Sequence, residues 1–397
     1  MSAISIVGGV YGEECAFPIR KQVFGSAGRA AVALSPHFEN VMLHTLLPDQ
    51  AATKVLPNFD AHGVDVVIHG GEQFISFEYL HCLAEPQIHP RVSKIVEQPS
   101  FHVAGEIVIQ FGMMECRPTV NAEICVYDPQ SPNSPVSFSA SGSKARRLAF
   151  IANAGEIEVL TGKSVDVGAQ QLVQSENAEL VVAKCGLHGA RVYGRDGFLG
   201  SVPAYQTKSV FTVGSGDMFV AAFAFAWGKE GQEPVAAADY ASRAVADYVE
   251  TEMPQLMPVA EVNTAYRMPV KLAGGNVYLA GPFRELGQRV VINEARKSLM
   301  ALGTEVFSPV HDIGHGPADA VVQKDLQAIQ DCDAVFAIIS GSSPGTLFEV
   351  GYAVALKKPV FCVAQNLRSN DAKLPQGAGC IVHEDFISAL HLLAWRS

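Results

Sequence analysis

Short aliphatic and β-branched runs recur along the chain, closed by glycine or proline and separated by stretches with helical spacing. They are ISIVGG, VDVVIHG, EIVIQF, EICVYD and LVVAKCG in the first part, and NVYLAG, TEVFSP, DAVFAII and PVFCVAQ in the last. Strand-length runs this apolar suit strands buried on both faces, as in a parallel sheet covered by helices. Their alternation with helical patterns predicts an α/β architecture. From Met253 to Gly275 the rhythm breaks, with three prolines and no sustained helical period. At 397 residues the chain is long for a single core. Two domains are expected, 1–255 and 276–397, joined by a linker over 256–275.

Composition narrows the class. A hydrophobic fraction of 48%, a charged fraction of 17% and 35 glycines fit a folded α/β enzyme rather than a disordered or fibrous chain. The net charge of -11 argues against nucleic acid as a partner, because phosphate backbones are held through clustered Lys and Arg. The eight cysteines are scattered without a CxxC pair, which points to reduced, buried thiols. The first residues lack a basic segment ahead of an apolar one, and no run is long enough to span a bilayer. A cytoplasmic protein with no membrane partner is the expectation.

In an open parallel sheet, chemistry collects at the carboxyl ends of the strands. After NVYLAG the chain continues Gly281-Pro282-Phe283-Arg284; after DAVFAII it reads Ser343-Pro344-Gly345-Thr346 and reaches Glu349. Thr346-x-x-Glu349 has two readings: a capping box at a helix start, or a first-turn carboxylate kept ionised by the helix dipole and available as a nucleophile. Asp331 and Asp333 read as helix-end and strand-start residues. His311 and His315, on a loop, receive no role.

Taken together, YLAGPF, KDLQAIQDCDAVFAII and GTLFEVGYAVALKKPV resemble the nucleoside 2-deoxyribosyltransferase family in order and spacing, over essentially all of residues 276–397. The resemblance implies a smaller flavodoxin-like, doubly wound parallel sheet. It also implies Glu349 as attacker of the anomeric carbon, Tyr278 hydrogen-bonded to it, and Asp325 positioning or protonating the base. No cofactor and a homo-oligomer are implied as well. Family members acting on free nucleosides usually carry an Asp six residues before the catalytic Glu, where this chain has Ser343. A serine can donate to a 5′-phosphate and Arg284 can pair with one, Gly281 and Gly345 shaping the two loops. The substrate expected is therefore a nucleoside 5′-monophosphate, cleaved to base and sugar phosphate.

Earlier in the chain, Gly214-Ser215-Gly216-Asp217 precedes an alanine-rich helical stretch. Glycines at a helix start let backbone amides converge on an anion, and an Asp behind them can take a proton from an attacking hydroxyl. Asn153-x-x-Glu156 alone suggests a capped helix, and Lys184-x-Gly186-x-x-Gly189 alone a hairpin turn. Their order resembles the PfkB carbohydrate and nucleoside kinase family, with a ribokinase-like three-layer α/β/α fold, over roughly residues 1–250. The resemblance implies Asp217 as catalytic base and the Gly214–Gly216 amides as an anion hole. It sets Asn153 and Glu156 near magnesium, Glu156 indirectly, and the segment from Lys184 with Gly186 and Gly189 near ATP. The match departs at Glu13 and Glu14, where an Asp usually grips the substrate. It also departs at Arg29, where an Asn is common, and at Phe211, where an Asp often stands.

Three functions follow as expectations. In the first, the kinase domain phosphorylates a nucleoside or sugar with ATP and Mg2+, and the second domain cleaves the N-glycosidic bond of the monophosphate through a glycosyl-Glu349 intermediate. The second is deoxyribosyl transfer between bases with a sugar kinase attached. The third is nucleotide sensing with a silent kinase domain.

Overall fold

A computed structural model describes residues 3–131, 134–264, 267–314, 317–341, 343–365, 367 and 371–396, and the backbone alone of 263, 264, 318 and 320. The chain forms two compact units, one of residues 1–207 and 212–269, the other of 208–211 and 270–397. The stretch read as a linker is thus divided. Its helix Val259–Thr264 belongs to the first unit, where Val262 is buried in the main core.

The first unit is built on a nine-stranded sheet. In spatial order its strands are Gly197–Val202, Ala190–Gly194, Leu180–Lys184, Lys144–Asn153, Thr119–Asp128, His102–Phe111, Ala3–Val7, Asn40–Thr45 and Asp65–Ile68. All pair in parallel except the first two, which complete an antiparallel meander on Leu180–Lys184. Lys184-x-Gly186-x-x-Gly189 is a hairpin connection, as the motif read alone suggested. Gly189 has φ +78°, and a Cβ on it would lie 1.9 Å from the Val202 carbonyl, so only glycine fits.

Alternation with helices also fails at two successive connections. The parallel neighbours His102–Phe111 and Thr119–Asp128 are joined by 112–118 alone, and the next parallel strand follows through 129–143 with no α-helix among the described residues. Both connections run back along the sheet, where a crossover helix is usual. Gly112 permits the tight exit, since a Cβ there would meet the Pro129 carbonyl at 1.9 Å.

A second, four-stranded sheet was not foreseen. Gly12–Phe17, Arg20–Val23, Ser76–His81 and Gln87–His89 form it, leaving the main sheet after its strands Ala3–Val7 and Asp65–Ile68. Charged and small residues dominate these strands, so they lack the apolar runs that mark the buried ones.

The second unit has five parallel strands in the order Glu305–Phe307, Asn276–Ala280, Ala334–Ile338, Val360–Val363 and Ile381–His383. Numbered along the chain this is 2-1-3-4-5, the flavodoxin-like winding expected from the resemblance. Tyr278, Ala280, Val335, Ala337 and Val350 share its core. The winding reverses between Asn276–Ala280 and Ala334–Ile338, and a crevice at the carboxyl ends of such a pair is where ligands bind.

Candidate active sites in the two units

Three elements of the second unit bring ionisable side chains to that reversal point. Tyr278 comes from the first strand, Asp325 from helix Ala318–Asp331 and Glu349 from helix Pro344–Ala355. Tyr278 is fully buried and stacks on Phe307 at 5.7 Å, which fixes its ring. Its hydroxyl donates to Glu349 Oε1 at 2.7 Å. Burial and the neighbouring Glu349 carboxylate push the Tyr278 phenol strongly upward, so it stays a donor.

Glu349 does not sit in the first helical turn. The helix begins at Pro344, leaving Glu349 in the second turn, while Thr346 is buried within the first. The capping box and the first-turn placement of Glu349 are both corrected by one fact: proline at the first helical position, with its preset φ, puts the N-cap at Ser343 instead of Thr346. Glu349 is raised to about 7, first by burial and then by the charge of Asp325, while the Tyr278 hydrogen bond opposes both. Asp325 is also raised by burial, and its Oδ1 has no hydrogen-bond partner among the described residues.

The remaining predicted residues flank this centre along the chain. Gly281 ends the strand, and a Cβ there would press on Ile292 Cδ1 at 2.8 Å, so the glycine serves close packing. Arg284 is exposed, and Ser343 is the residue immediately ahead of helix Pro344–Ala355, with Gly345 in its first turn. Asp333 accepts from the Asn276 amide at 2.7 Å, a structural role. His311 is held between Ser308 Oγ and Asn293 Oδ1. His315 lies outside the described residues.

In the first unit Gly214 adopts φ +83° and starts helix Ser215–Phe223, which places Asp217 in its first turn. Both Asp217 oxygens already have donors. Arg29 Nη1 reaches Oδ2 at 2.7 Å and Gln130 Nε2 reaches Oδ1 at 2.5 Å. Arg29, from helix Gly25–Leu34, is 1% exposed and also forks onto Glu13 of the small sheet. Its guanidinium lies on the glycine turn, where a Cβ on Gly214 would be 2.3 Å from Arg29 Cζ.

Glu13 is raised by burial, an effect that Arg29 opposes. The Arg29 guanidinium is held charged by its carboxylate neighbours against desolvation. Lys184 pairs with the fully buried Asp128, and the room over Gly216 ends at Lys184 Nζ, 3.6 Å from a Cβ placed there. Asn153 and Glu156 form a reciprocal cap: Glu156 N donates to Asn153 Oδ1 at 2.9 Å, and Asn153 N donates to Glu156 Oε2 at 2.8 Å.

The carboxylates meant for magnesium and for the acceptor proton are thus engaged by groups of this chain. Among the described residues no cluster of three His, Cys, Asp or Glu is arranged to hold a metal. Gln130 and Asp128 escaped sequence reading, although a carboxylate closing the apolar run EICVYD was the available signal. Among the described residues no two cysteines form a disulfide, and all the cysteines but Cys185 are buried. No helix among the described residues is long and apolar enough to cross a membrane.

Comparison with known proteins assigns each unit. Residues 277–386 match the family model for nucleoside 2-deoxyribosyltransferase, and 121–256 match that for the pfkB family carbohydrate kinases. A fructokinase double mutant from Vibrio cholerae O395, in its fructose, ADP and potassium ion bound form, is similar in fold. Its TM-score is 0.50 at 15% identity, over 66% of this chain and 97% of that one. Ribokinase from Thermotoga maritima aligns with a TM-score of 0.49 at 18% identity, over 66% of this chain and 98% of that one. No curated protein matches the chain. The chain therefore joins a PfkB-family carbohydrate kinase domain of ribokinase-like fold to a nucleoside 2-deoxyribosyltransferase-family domain.

Proposed function

We propose that the second unit cleaves the N-glycosidic bond of a nucleoside 5′-monophosphate, with Glu349 as nucleophile. The observation that carries this reading is the 2.7 Å hydrogen bond from Tyr278 to Glu349, beside a second carboxyl on Asp325. Ionised Glu349 attacks the anomeric carbon as the bond to the base breaks, and the bonding pair leaves with the base nitrogen. Asp325 supplies the proton that nitrogen needs. The surroundings of the two carboxyls differ: Tyr278 donates to Glu349 and supports its anion, whereas Asp325 is raised by burial and its Oδ1 has no hydrogen-bond partner among the described residues. Water then attacks the glycosyl ester, returning its proton to the site and freeing sugar phosphate.

A 5′-phosphate is favoured by the exposed Arg284 and by Ser343 at the start of a helix, whose amides suit an anion, with no carboxylate at that position to repel it. Transfer to an acceptor base would use the same ester and differ only in what resolves it.

The test is chromatographic analysis of nucleosides and their 5′-monophosphates incubated with the full chain, with and without a second base. Base release from a monophosphate, lost in Glu349→Gln, is expected. Release that Glu349→Gln leaves intact overturns the reading, and a new nucleoside formed from the second base converts hydrolysis to transfer. Phosphorylation by the first unit receives no comparable support, because Asp217 carries a donor on each oxygen.

A further inference from the structure

We propose that Arg29 is a built-in occupant of the kinase acceptor site and holds the first unit in a state that does not transfer phosphate. In-line transfer forms a bond from an acceptor oxygen to the terminal phosphorus and breaks the bond to the nucleotide diphosphate. The acceptor proton must pass to a base within hydrogen-bond reach. Asp217 is that base by position, the carboxylate behind the Gly214–Gly216 turn. An acceptor hydroxyl would have to displace Arg29 from Oδ2 or Gln130 from Oδ1.

Gln130 is exchangeable in principle, being neutral and only partly buried. Arg29 is not. It is 1% exposed and spans two carboxylates, Asp217 on the main fold and Glu13 on the small sheet, so its departure would leave both buried without the guanidinium that pairs with them.

The second observation is steric. The guanidinium fills the space directly over Gly214, with Cζ and Nε each 2.3 Å from where a Cβ would stand. The glycine that would admit an anion instead admits the chain's own cation. A cation facing the positive end of a helix is unfavourable by itself. Glu13 and Asp217 offset this, because both carboxylates pair with the guanidinium. The Glu13 side makes the contact a latch, since it ties the small sheet to the catalytic helix through one side chain.

The experiment uses the full chain, γ-labelled ATP, magnesium and a panel of nucleosides and sugars, with label counted on acceptors and as free phosphate. Wild type is expected at the level of Asp217→Asn. The double variant Glu13→Gln with Arg29→Gln keeps hydrogen-bonding groups of similar reach and removes the charge pair. It is expected to raise Asp217-dependent transfer by about 100-fold, the ordinary contribution of a freed general base. Wild-type transfer that Asp217→Asn abolishes overturns the proposal. So does a folded double variant, judged by circular dichroism, that stays at background. If that variant does not fold, Arg29→Lys keeps the cation but loses the fork. Transfer above wild type supports the latch, and its absence overturns it.

Discussion

Each unit places a carboxylate near the start of a helix at the carboxyl edge of a parallel sheet, but their surroundings treat the two in opposite ways. Glu349 has a neutral donor, Tyr278, and a second carboxyl nearby, and among the described residues no cation pairs with it. Asp217 is met by a buried guanidinium that is itself shared with Glu13. The first arrangement leaves a destabilised anion with a hydrogen bond on one oxygen among the described residues. The second neutralises the anion and spends both of its oxygens. Position in the fold therefore nominates a catalytic carboxylate, and the charge opposite it decides whether it is available.

The largest expected effect tests the available carboxylate. Glu349→Gln or Glu349→Ala should lower base release by at least about 1,000-fold, since the covalent route then has no nucleophile. Single-turnover assays read this directly, and intact-protein mass spectrometry of quenched wild type should show a sugar-phosphate adduct that the variants lack. A residual rate within tenfold of wild type would reduce Glu349 to a positioning role.

Asp217→Asn, next in size, tests the paired carboxylate. Removing one partner of a buried ion pair typically costs about 3–5 kcal/mol, discounted here because Arg29 retains Glu13. Local unfolding of helix Ser215–Phe223, followed by hydrogen exchange, should ease by about 2 kcal/mol or more. An unchanged exchange rate would mean that Arg29 contributes no stability through Asp217 and would weaken the contrast between the units.

Much of this contrast could be anticipated from sequence, and the missing part has a physical reason. Apolar runs such as NVYLAG and DAVFAII marked buried strands because parallel sheets need both faces apolar. The motif order around Tyr278, Asp325 and Glu349 nominated residues that the fold does assemble, because all three sit on regular elements of one small winding. The sequence also noted Arg29 as a departure. It could not show that Arg29, Glu13 and Asp217 meet, since Asp217 lies 188 residues from Arg29 and farther still from Glu13, and nothing local encodes their contact. Gln130 was missed for the same reason. The start of helix Pro344–Ala355 was misread locally, where Pro344 outweighs the attraction of a Thr-x-x-Glu pattern.

The pH dependence sharpens the account of the first centre. Activity should rise with pH along an acid limb near the value of about 7 to which Glu349 is raised, because the ionised form attacks. Asp325→Asn removes a charge that raises Glu349, so the limb should move to lower pH. Tyr278→Phe removes a hydrogen bond that lowers it, so the limb should move to higher pH, with a loss of about 10- to 100-fold in rate. Profiles of kcat/KM measured across pH 5 to 9 give both shifts, and displacement of both limbs in the same direction would contradict the geometry. Arg284→Ala is expected to cost about tenfold in kcat/KM for a 5′-monophosphate and little for the nucleoside.

The smallest effect compares the same chemical change at both centres. The folded-state value of Glu349 lies above its ordinary 4.5, so folding favours the acid form. Stability contributed by that proton is complete below about 4.5 and is lost as pH rises through about 7. At pH 8 the wild-type site therefore holds an anion at a cost that Glu349→Gln removes. The full difference in proton affinity, discounted for a partly exposed side chain, amounts to about 1–2 kcal/mol. Hydrogen exchange over helix Pro344–Ala355 should accordingly slow in Glu349→Gln at pH 8 and match wild type near pH 5. Asp217→Asn, the equivalent carboxylate-to-amide change, should speed exchange over its own helix. Opposite signs for one substitution type would separate a carboxylate kept for reaction from one kept for structure, and equal signs would mean that the charge facing each group does not determine its role.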